Sequence, residues 1–155
     1  MRDGASPGTD ATISPEEIVA RVREVLASRW AGRREDTDRL YSPDVVIDSL
    51  GPPELKPYCG RIAGLQALRD FRRAFIVELQ VLENETLDLL AEGCVAMVRR
   101  RLVLRNRGTG AACQTLVWER YRFSGDKIVE IIQQTDTATL ARLLGRGHVL
   151  SAPTD

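Results

Sequence analysis

Two runs rich in β-branched and aromatic residues meet at a tight polar turn within Gly110 to Asp136, and no other feature constrains the fold as much. The turn is Ser124-Gly125-Asp126-Lys127, and Gly beside Asp suits the backbone angles of a short hairpin. Polar residues recur at every second position among the apolar ones in both runs. Because neither face is purely apolar, the pattern predicts an antiparallel hairpin in a sheet that curls around a partly polar cavity.

The rest of the chain predicts helices first and a strand meander afterwards. Ser14-Pro15-Glu16-Glu17 is typical of a helix start, and apolar residues follow at helical spacing as far as Gly32. Further helices are predicted at about 35–41, 65–78 and 137–144, and further strands at about 45–49, 81–90 and 94–105. This order predicts an α+β domain with helices on one face of a curved sheet.

Composition limits the class of partner and the compartment. The 155 residues contain 22 Lys plus Arg and 22 Asp plus Glu, so no net charge attracts nucleic acid or a membrane surface. The three cysteines lack paired or metal-type spacing, which indicates free thiols in a reducing compartment. We therefore expect a cytoplasmic protein with a disordered arm at 1–12, one domain at 13–144 and a flexible tail at 145–155.

Three motifs in this order of elements resemble a known superfamily. They are Tyr41 to Ser49 (YSPDVVIDS), Arg122 to Glu130 (RFSGDKIVE) and Thr135 to Leu140 (TDTATL). From about Ser14 to Leu144 the chain resembles the nuclear-transport-factor-2-like superfamily, and most nearly its SnoaL-like group, which is related to ketosteroid isomerases, polyketide cyclases and limonene-epoxide hydrolases. The resemblance implies a cone-shaped, strongly curved mixed or antiparallel sheet wrapped around three N-terminal helices, with a short C-terminal helix.

The active residues of the ketosteroid isomerases are only partly retained in this sequence. Matching the Tyr41-to-Ser49 motif without gaps puts Ser49 where those enzymes carry a base aspartate, and Asp48 is one residue away, on the opposite side of an ideal strand. Their oxyanion tyrosine falls near the apolar Val25. Their second oxyanion acid falls on Glu119, which makes the standard isomerase reaction a poor match.

The other relatives also match incompletely. The arginine of limonene-epoxide hydrolases falls on Arg100, whereas their two acids fall on Leu102 and Gln133. Dehydratases of this superfamily need paired histidines, and the single histidine here, His148, lies in the predicted tail. The sequence therefore predicts neither of these reactions in its known form.

Strand parity predicts which side chains face the cavity. Glu119 and Arg100 then lie on one concave face, so that if both are buried they must pair or bind something charged. The arginine favours an ionised glutamate and apolar burial a protonated one. A catalytic or ligand-binding dyad and a structural ion pair both fit the pattern. The other residues expected at the ligand are Trp30, Ser49, Tyr58, Thr115, Val117, Ile131, Gln133 and Thr135.

Two hypotheses for function follow. The first is a SnoaL-like enzyme that acts on an apolar polyketide-, terpenoid- or steroid-like compound by acid–base chemistry of the isomerase, cyclase or hydratase type, without cofactor or metal. Glu119 would carry the proton, Arg100 would be its partner or anchor a carbonyl, and Asp48 is the reserve base. The second is a non-catalytic ligand-binding or dimerisation module of the same fold. In either case the outer sheet face, where Leu116 and Trp118 alternate with arginines, predicts a homodimer.

Overall fold

Within residues 12–30 and 32–148, which the computed structural model describes, three α-helices pack against one six-stranded sheet. The helices are α1 (Pro15–Trp30), α2 (Leu65–Glu78) and α3 (Thr137–Leu143), and short 3-10 helices cover Arg34–Leu40 and Pro53–Leu55. The side chains of Trp30 and Arg34 lie outside the description. So do residues 1–11 and 149–155, which include most of the predicted arm and tail.

The start of α1 follows the predicted capping pattern. The Ser14 hydroxyl accepts from the Glu17 N–H at 3.2 Å, and the Glu17 carboxylate accepts from the Ser14 N–H at 2.9 Å. These two bonds satisfy N–H groups that the first turn of a helix leaves without partners. None of the helices in the described ranges is long and apolar enough to cross a membrane.

The sheet is mixed, which is one of the two arrangements that the resemblance implied. Its strands are β1 (Tyr41–Leu50), β2 (Gly60–Ala63), β3 (Leu79–Glu92), β4 (Val95–Asn106), β5 (Ala112–Ser124) and β6 (Lys127–Thr135), in the order β2-β1-β6-β5-β4-β3. All neighbours are antiparallel except β1 and β6, which run parallel. The predicted hairpin around Gly125 is the β5–β6 pair.

Two strands differ from the sequence prediction. The stretch Gly60–Ala63 lies outside the strands predicted from the sequence but pairs with β1 as strand β2. Four residues after a proline-rich segment are too few to display a period of two, so the sequence carried little signal for this strand. Strand β1 begins at Tyr41, four residues before the predicted start, and includes Pro43, a residue type that usually argues against a strand.

Register shifts bend the sheet around the helices. Strand β3 has shifts between Val81 and Glu83 and between Thr86 and Asp88, and such bulges increase local twist and curvature. Helices α1 and α2 pack on the concave face. One apolar cluster lies beneath α1 and includes Ile18, Val22 and Tyr121, and a second lies around α3.

Candidate functional site

A cavity of about 120 Å³ lies between the concave face of the sheet and α2. All six strands contribute apolar side chains to it, namely Ile47, Ile62, Val81, Leu102, Val117 and Ile131. Leu68, Phe71 and Phe75 of α2 contribute three more. Because most of the lining is apolar, the cavity favours a ligand with an apolar body.

A buried ion cluster forms one part of the cavity wall. Arg29, in the last turn of α1, has its Nη1 atom 2.9 Å from Oε1 of Glu119, and Arg100, in β4, has its Nε atom 2.9 Å from Oε2. The Tyr121 hydroxyl donates to Oε2 at 3.3 Å. Both arginines line the cavity, whereas Glu119 is 0% exposed and does not. The carboxylate therefore contacts the two arginines rather than the cavity.

These contacts fix the protonation states of the cluster. Burial raises the pKa of Glu119, but the charges and hydrogen bonds of Arg100 and Arg29 outweigh burial and lower the pKa to about 2. Burial opposes the charge of Arg29, yet Tyr121, Tyr41 and Glu119 hold its pKa well above the ordinary value. Burial also raises the pKa of Tyr121. At neutral pH the cluster thus contains one carboxylate, two guanidinium groups and a neutral phenol.

A third arginine reaches the cavity from α2. The Nη1 atom of Arg72 is 2.5 Å from the Asp38 carboxylate, and its guanidinium lies 5.2 Å from the ring centre of Tyr41. Tyr41 also accepts a hydrogen bond from Arg29 at 3.5 Å, so one tyrosine contacts two cavity arginines. The Asp38 carboxylate has a second partner in Arg69 at 2.8 Å.

Neutral polar groups complete the lining. Gln133 lies opposite Ser49 in the β1–β6 pair and opposite Glu119 in the β5–β6 pair, so these three residues form one row across the sheet. Ser49 and Gln133 line the cavity. Asn84 of β3 lines it too and accepts a hydrogen bond from Nη1 of Arg100 at 3.1 Å. These groups can orient a bound molecule without adding charge.

The structure brings four of the eight predicted ligand-binding residues to the cavity, together with Arg100. Ser49, Arg100, Val117, Ile131 and Gln133 all belong to its lining. The predicted pairing of Arg100 with Glu119 is present, with the glutamate directly behind the lining.

Three other predicted site residues, Tyr58, Thr115 and Thr135, are not among the lining residues. Thr115 and Thr135 lie 3.2 Å apart, hydroxyl to hydroxyl. Tyr58 is buried against Phe71 and Phe75 and donates to Glu78 at 2.6 Å.

Neither Asp48 nor Trp30 has its predicted role supported by the cavity lining. Asp48 is half-buried and lies opposite Arg61 and Ile132. It does not line the cavity, because adjacent residues of a strand face opposite sides of the sheet and its neighbour Ser49 lines the cavity. The side chain of Trp30 lies outside the described residues, so its predicted ligand contact stays a prediction.

Sequence reasoning missed Arg29, Arg72 and Asn84 as lining residues. A signal existed for Arg29, which follows Val22 and Val25 by seven and four residues and so shares the buried face of α1. This signal was not distinctive, because a basic residue in the last turn of a helix is also favoured by the helix dipole. Asn84 carried no signal, because the bulge between Val81 and Glu83 decides which side of β3 it faces.

The arrangement is suited to holding an oxygen atom. Guanidinium donors in a cavity with few competing waters bind carbonyl, enolate or carboxylate oxygens strongly. Among the described lining residues, none is a carboxylate, histidine or cysteine. The site can therefore stabilise negative charge more readily than it can accept a proton.

Comparison with known proteins agrees with this architecture. The family model described as SnoaL-like domain matches residues 19–131. Among curated proteins, no sequence matches the chain significantly.

Solved structures share the fold at low sequence identity. A protein from Bacillus subtilis whose isomerase activity is suspected is 14% identical, with a TM-score of 0.75 over 84% of this chain and 94% of that one. An NTF2-like protein from Burkholderia xenovorans is 20% identical, with a TM-score of 0.75 over 84% of this chain and 98% of that one. An LEH-like epoxide hydrolase from M. tuberculosis is 20% identical, with a TM-score of 0.66 over 90% of this chain and 98% of that one. At these identities the similarity shows the fold.

Proposed function

Because this chain belongs to the SnoaL-like domain family, we propose that it acts without a cofactor on a mostly apolar small molecule whose oxygen-bearing end binds at Arg29 and Arg100. The family supports a small-molecule enzyme, and neighbours of the same fold are named for isomerase and epoxide hydrolase activities. The observation that carries the proposal is a mostly apolar cavity whose charged lining residues, among those that the structure describes, are all arginines.

The chemistry follows from the positions of the donors. When a proton leaves the carbon next to a carbonyl group, the electron pair moves onto the carbonyl oxygen, which becomes negatively charged. Two guanidinium groups already in place around that oxygen stabilise this charge without reorganisation. Isomerisation, cyclisation and hydration of a carbonyl compound each pass through such a charged oxygen. We propose that Arg29 and Arg100 supply this stabilisation and that Ser49 and Gln133 orient the molecule.

The geometry favours a different role for Glu119 from the one predicted. Each of its oxygens already accepts from an arginine, and a pKa of about 2 makes it a weak base. We propose that Glu119 holds the two guanidinium groups in position and that the proton is taken up by a water molecule or by the substrate itself. Asp48 has no part in this scheme, since it does not line the cavity.

A second candidate function is ligand binding without turnover. It is favoured by the lining itself, whose polar groups in the described residues are arginines, amides and one serine rather than groups that exchange protons near neutral pH. Loss of a base aspartate at the Ser49 position points the same way.

A turnover assay separates the two candidates. Purified protein would be incubated with polyketide-, terpenoid- and steroid-like ketones and epoxides, and product formation followed by mass spectrometry. In the catalytic case Arg100→Met should lower kcat/KM by about a hundred- to a thousand-fold. Arg105→Met, an exposed arginine on the opposite face of the same strand, should change it little. Binding of these compounds with no turnover by the wild type would instead support the second candidate.

A further inference from the structure

Among the residues that the structure describes, the charges of the ionised groups around the cavity do not cancel. Three arginines line it, namely Arg29, Arg72 and Arg100. The carboxylates bound to them are Glu119, which is shared by Arg29 and Arg100, and Asp38, which binds Arg72. Three positive charges less two negative ones leave a surplus of one positive charge.

The surplus is located at the Arg29–Glu119–Arg100 cluster. The side chains of Arg29 and Arg100 are 19% and 7% exposed, and they share a single carboxylate. Within the described part of the chain, their other hydrogen-bond partners are Tyr41 and Asn84, neither of which is a carboxylate. A charge that is buried without a counter-charge costs several kcal/mol. The Asp38 site differs because its additional arginine, Arg69, has a side chain 41% exposed to water.

Donors remain for a ligand at this cluster. An arginine has five N–H donors. The hydrogen bonds made in the described part of the chain use Nε and Nη1 of Arg100 and Nη1 and Nη2 of Arg29. Because both side chains line the cavity, their remaining N–H groups are available to an oxygen placed in it.

We propose that the natural ligand is a monoanion, an apolar molecule with one carboxylate or comparable singly charged oxygen group that supplies the missing negative charge between Arg29 and Arg100. This inference rests on the proposed function and names the class of molecule that the same site takes: an enolate oxygen held there fits the catalytic candidate, and a carboxylate held there fits the ligand-binding candidate. A neutral ligand would leave the surplus charge buried. A phosphate monoester, which carries about two negative charges at neutral pH, would reverse the surplus instead of cancelling it.

Three probes of one shape test the charge directly. Cinnamate carries a carboxylate on an apolar body, cinnamamide replaces the carboxylate with a neutral amide, and cinnamylamine carries a positive charge. Each would be titrated into the full chain by isothermal calorimetry in a chloride-free buffer. We expect cinnamate to bind at least about tenfold more tightly than cinnamamide, because hydrogen bonds between charged groups are roughly twice as strong as neutral ones. Cinnamylamine should not bind.

Variants show which residues cause the preference for cinnamate over cinnamamide. Arg29→Met and Arg100→Met should each abolish the difference between cinnamate and cinnamamide, whereas Arg105→Met should preserve it. Circular dichroism of each variant checks that it is folded, and Arg29, the more exposed of the two, provides the safer substitution.

The outcomes separate this inference from the proposed function. Equal affinity for cinnamate and cinnamamide, with both weakened by Arg100→Met, would overturn the monoanion and leave the proposed site intact. A preference for cinnamate that survives both arginine substitutions would also overturn it. Tighter binding of cinnamylamine, or no binding of any probe, would contradict both.

Discussion

Arg29 Nη1 lies 2.9 Å from Glu119 Oε1, a contact between the end of the first helix and the middle of the fifth strand that spans 90 residues of sequence. Arg100 binds the other oxygen of the same carboxylate from the neighbouring strand. This fully buried carboxylate therefore links α1 to the sheet and holds two arginines of the cavity lining in place. Stability and ligand binding should therefore respond together to changes at this position.

Glu119→Gln should destabilise the protein strongly. The substitution leaves Arg29 and Arg100 buried without a negative charge, and breaking a buried pair in this way costs about 3 to 5 kcal/mol. Urea unfolding followed by circular dichroism measures the free energy of unfolding.

Two controls sharpen this test. Glu130→Gln removes a carboxylate that binds Arg120 and Arg122 at the surface and should cost less than about 1 kcal/mol. The double variant Arg29→Met with Glu119→Gln removes one of the two uncompensated charges and should recover part of the loss. Equal effects of Glu119→Gln and Glu130→Gln would show that the buried cluster is not a source of stability.

Stability should fall in acid because of Glu119. Its pKa is about 2 in the folded protein and 4.5 in its ordinary state, so the unfolded chain takes up the proton first as pH falls. The ionised Glu119 carboxylate makes its full contribution to the free energy of unfolding above about pH 5, on the order of 3 kcal/mol. This contribution is lost progressively between pH 4.5 and 2.

The measurement is the free energy of unfolding as a function of pH for the wild type and Glu119→Gln. The difference between the two proteins should shrink as the solution is acidified through this range. A difference that stays constant from pH 6 to pH 2.5 would mean that Glu119 is not held ionised by the arginines.

The outer face of the sheet leads to a prediction about assembly. Met97, Leu116 and Trp118 are 41%, 41% and 47% exposed there, and we call these three residues the convex patch. The Arg99 guanidinium lies 5.5 Å from the Trp118 ring, so an apolar centre is bordered by charge, as in many protein interfaces. We predict a homodimer through this patch.

Light scattering tests the prediction. The wild type should have about twice the chain mass of 17.2 kDa at micromolar concentration, and Trp118→Glu should shift it to the monomer. Val77→Glu changes an equally apolar residue, 76% exposed on α2, and should leave the mass unchanged. A monomeric wild type would refute the prediction.

The sequence predicted the periodic parts of this protein well. Alternation along β4 and β5 placed Arg100 and Glu119 on one face, because side-chain direction in a strand follows directly from parity. Ser49 was likewise placed inward by the gapless match, and it lines the cavity.

What the sequence could not supply depends on how elements pack. Arg29 reaches Glu119 only because α1 crosses the concave face near β5. The hydrophobic periodicity of a helix does not predict the angle at which the helix crosses a sheet. Asn84 faces the cavity together with Val81, three residues earlier, which strict alternation forbids and a bulge in β3 permits. The local pattern therefore identified the acid and one arginine, while tertiary packing supplied the second arginine and hence the surplus charge.

The most direct test of the account is a crystal structure of the protein with cinnamate bound. We predict a carboxylate oxygen about 2.7 to 3.1 Å from guanidinium nitrogens of both Arg29 and Arg100, with the phenyl ring against Phe71 and Leu102. Cinnamate bound with its ring toward the arginines would contradict an anion site between Arg29 and Arg100. Binding outside the cavity, in the open groove lined by Arg23, Leu26 and Thr86, would contradict it equally.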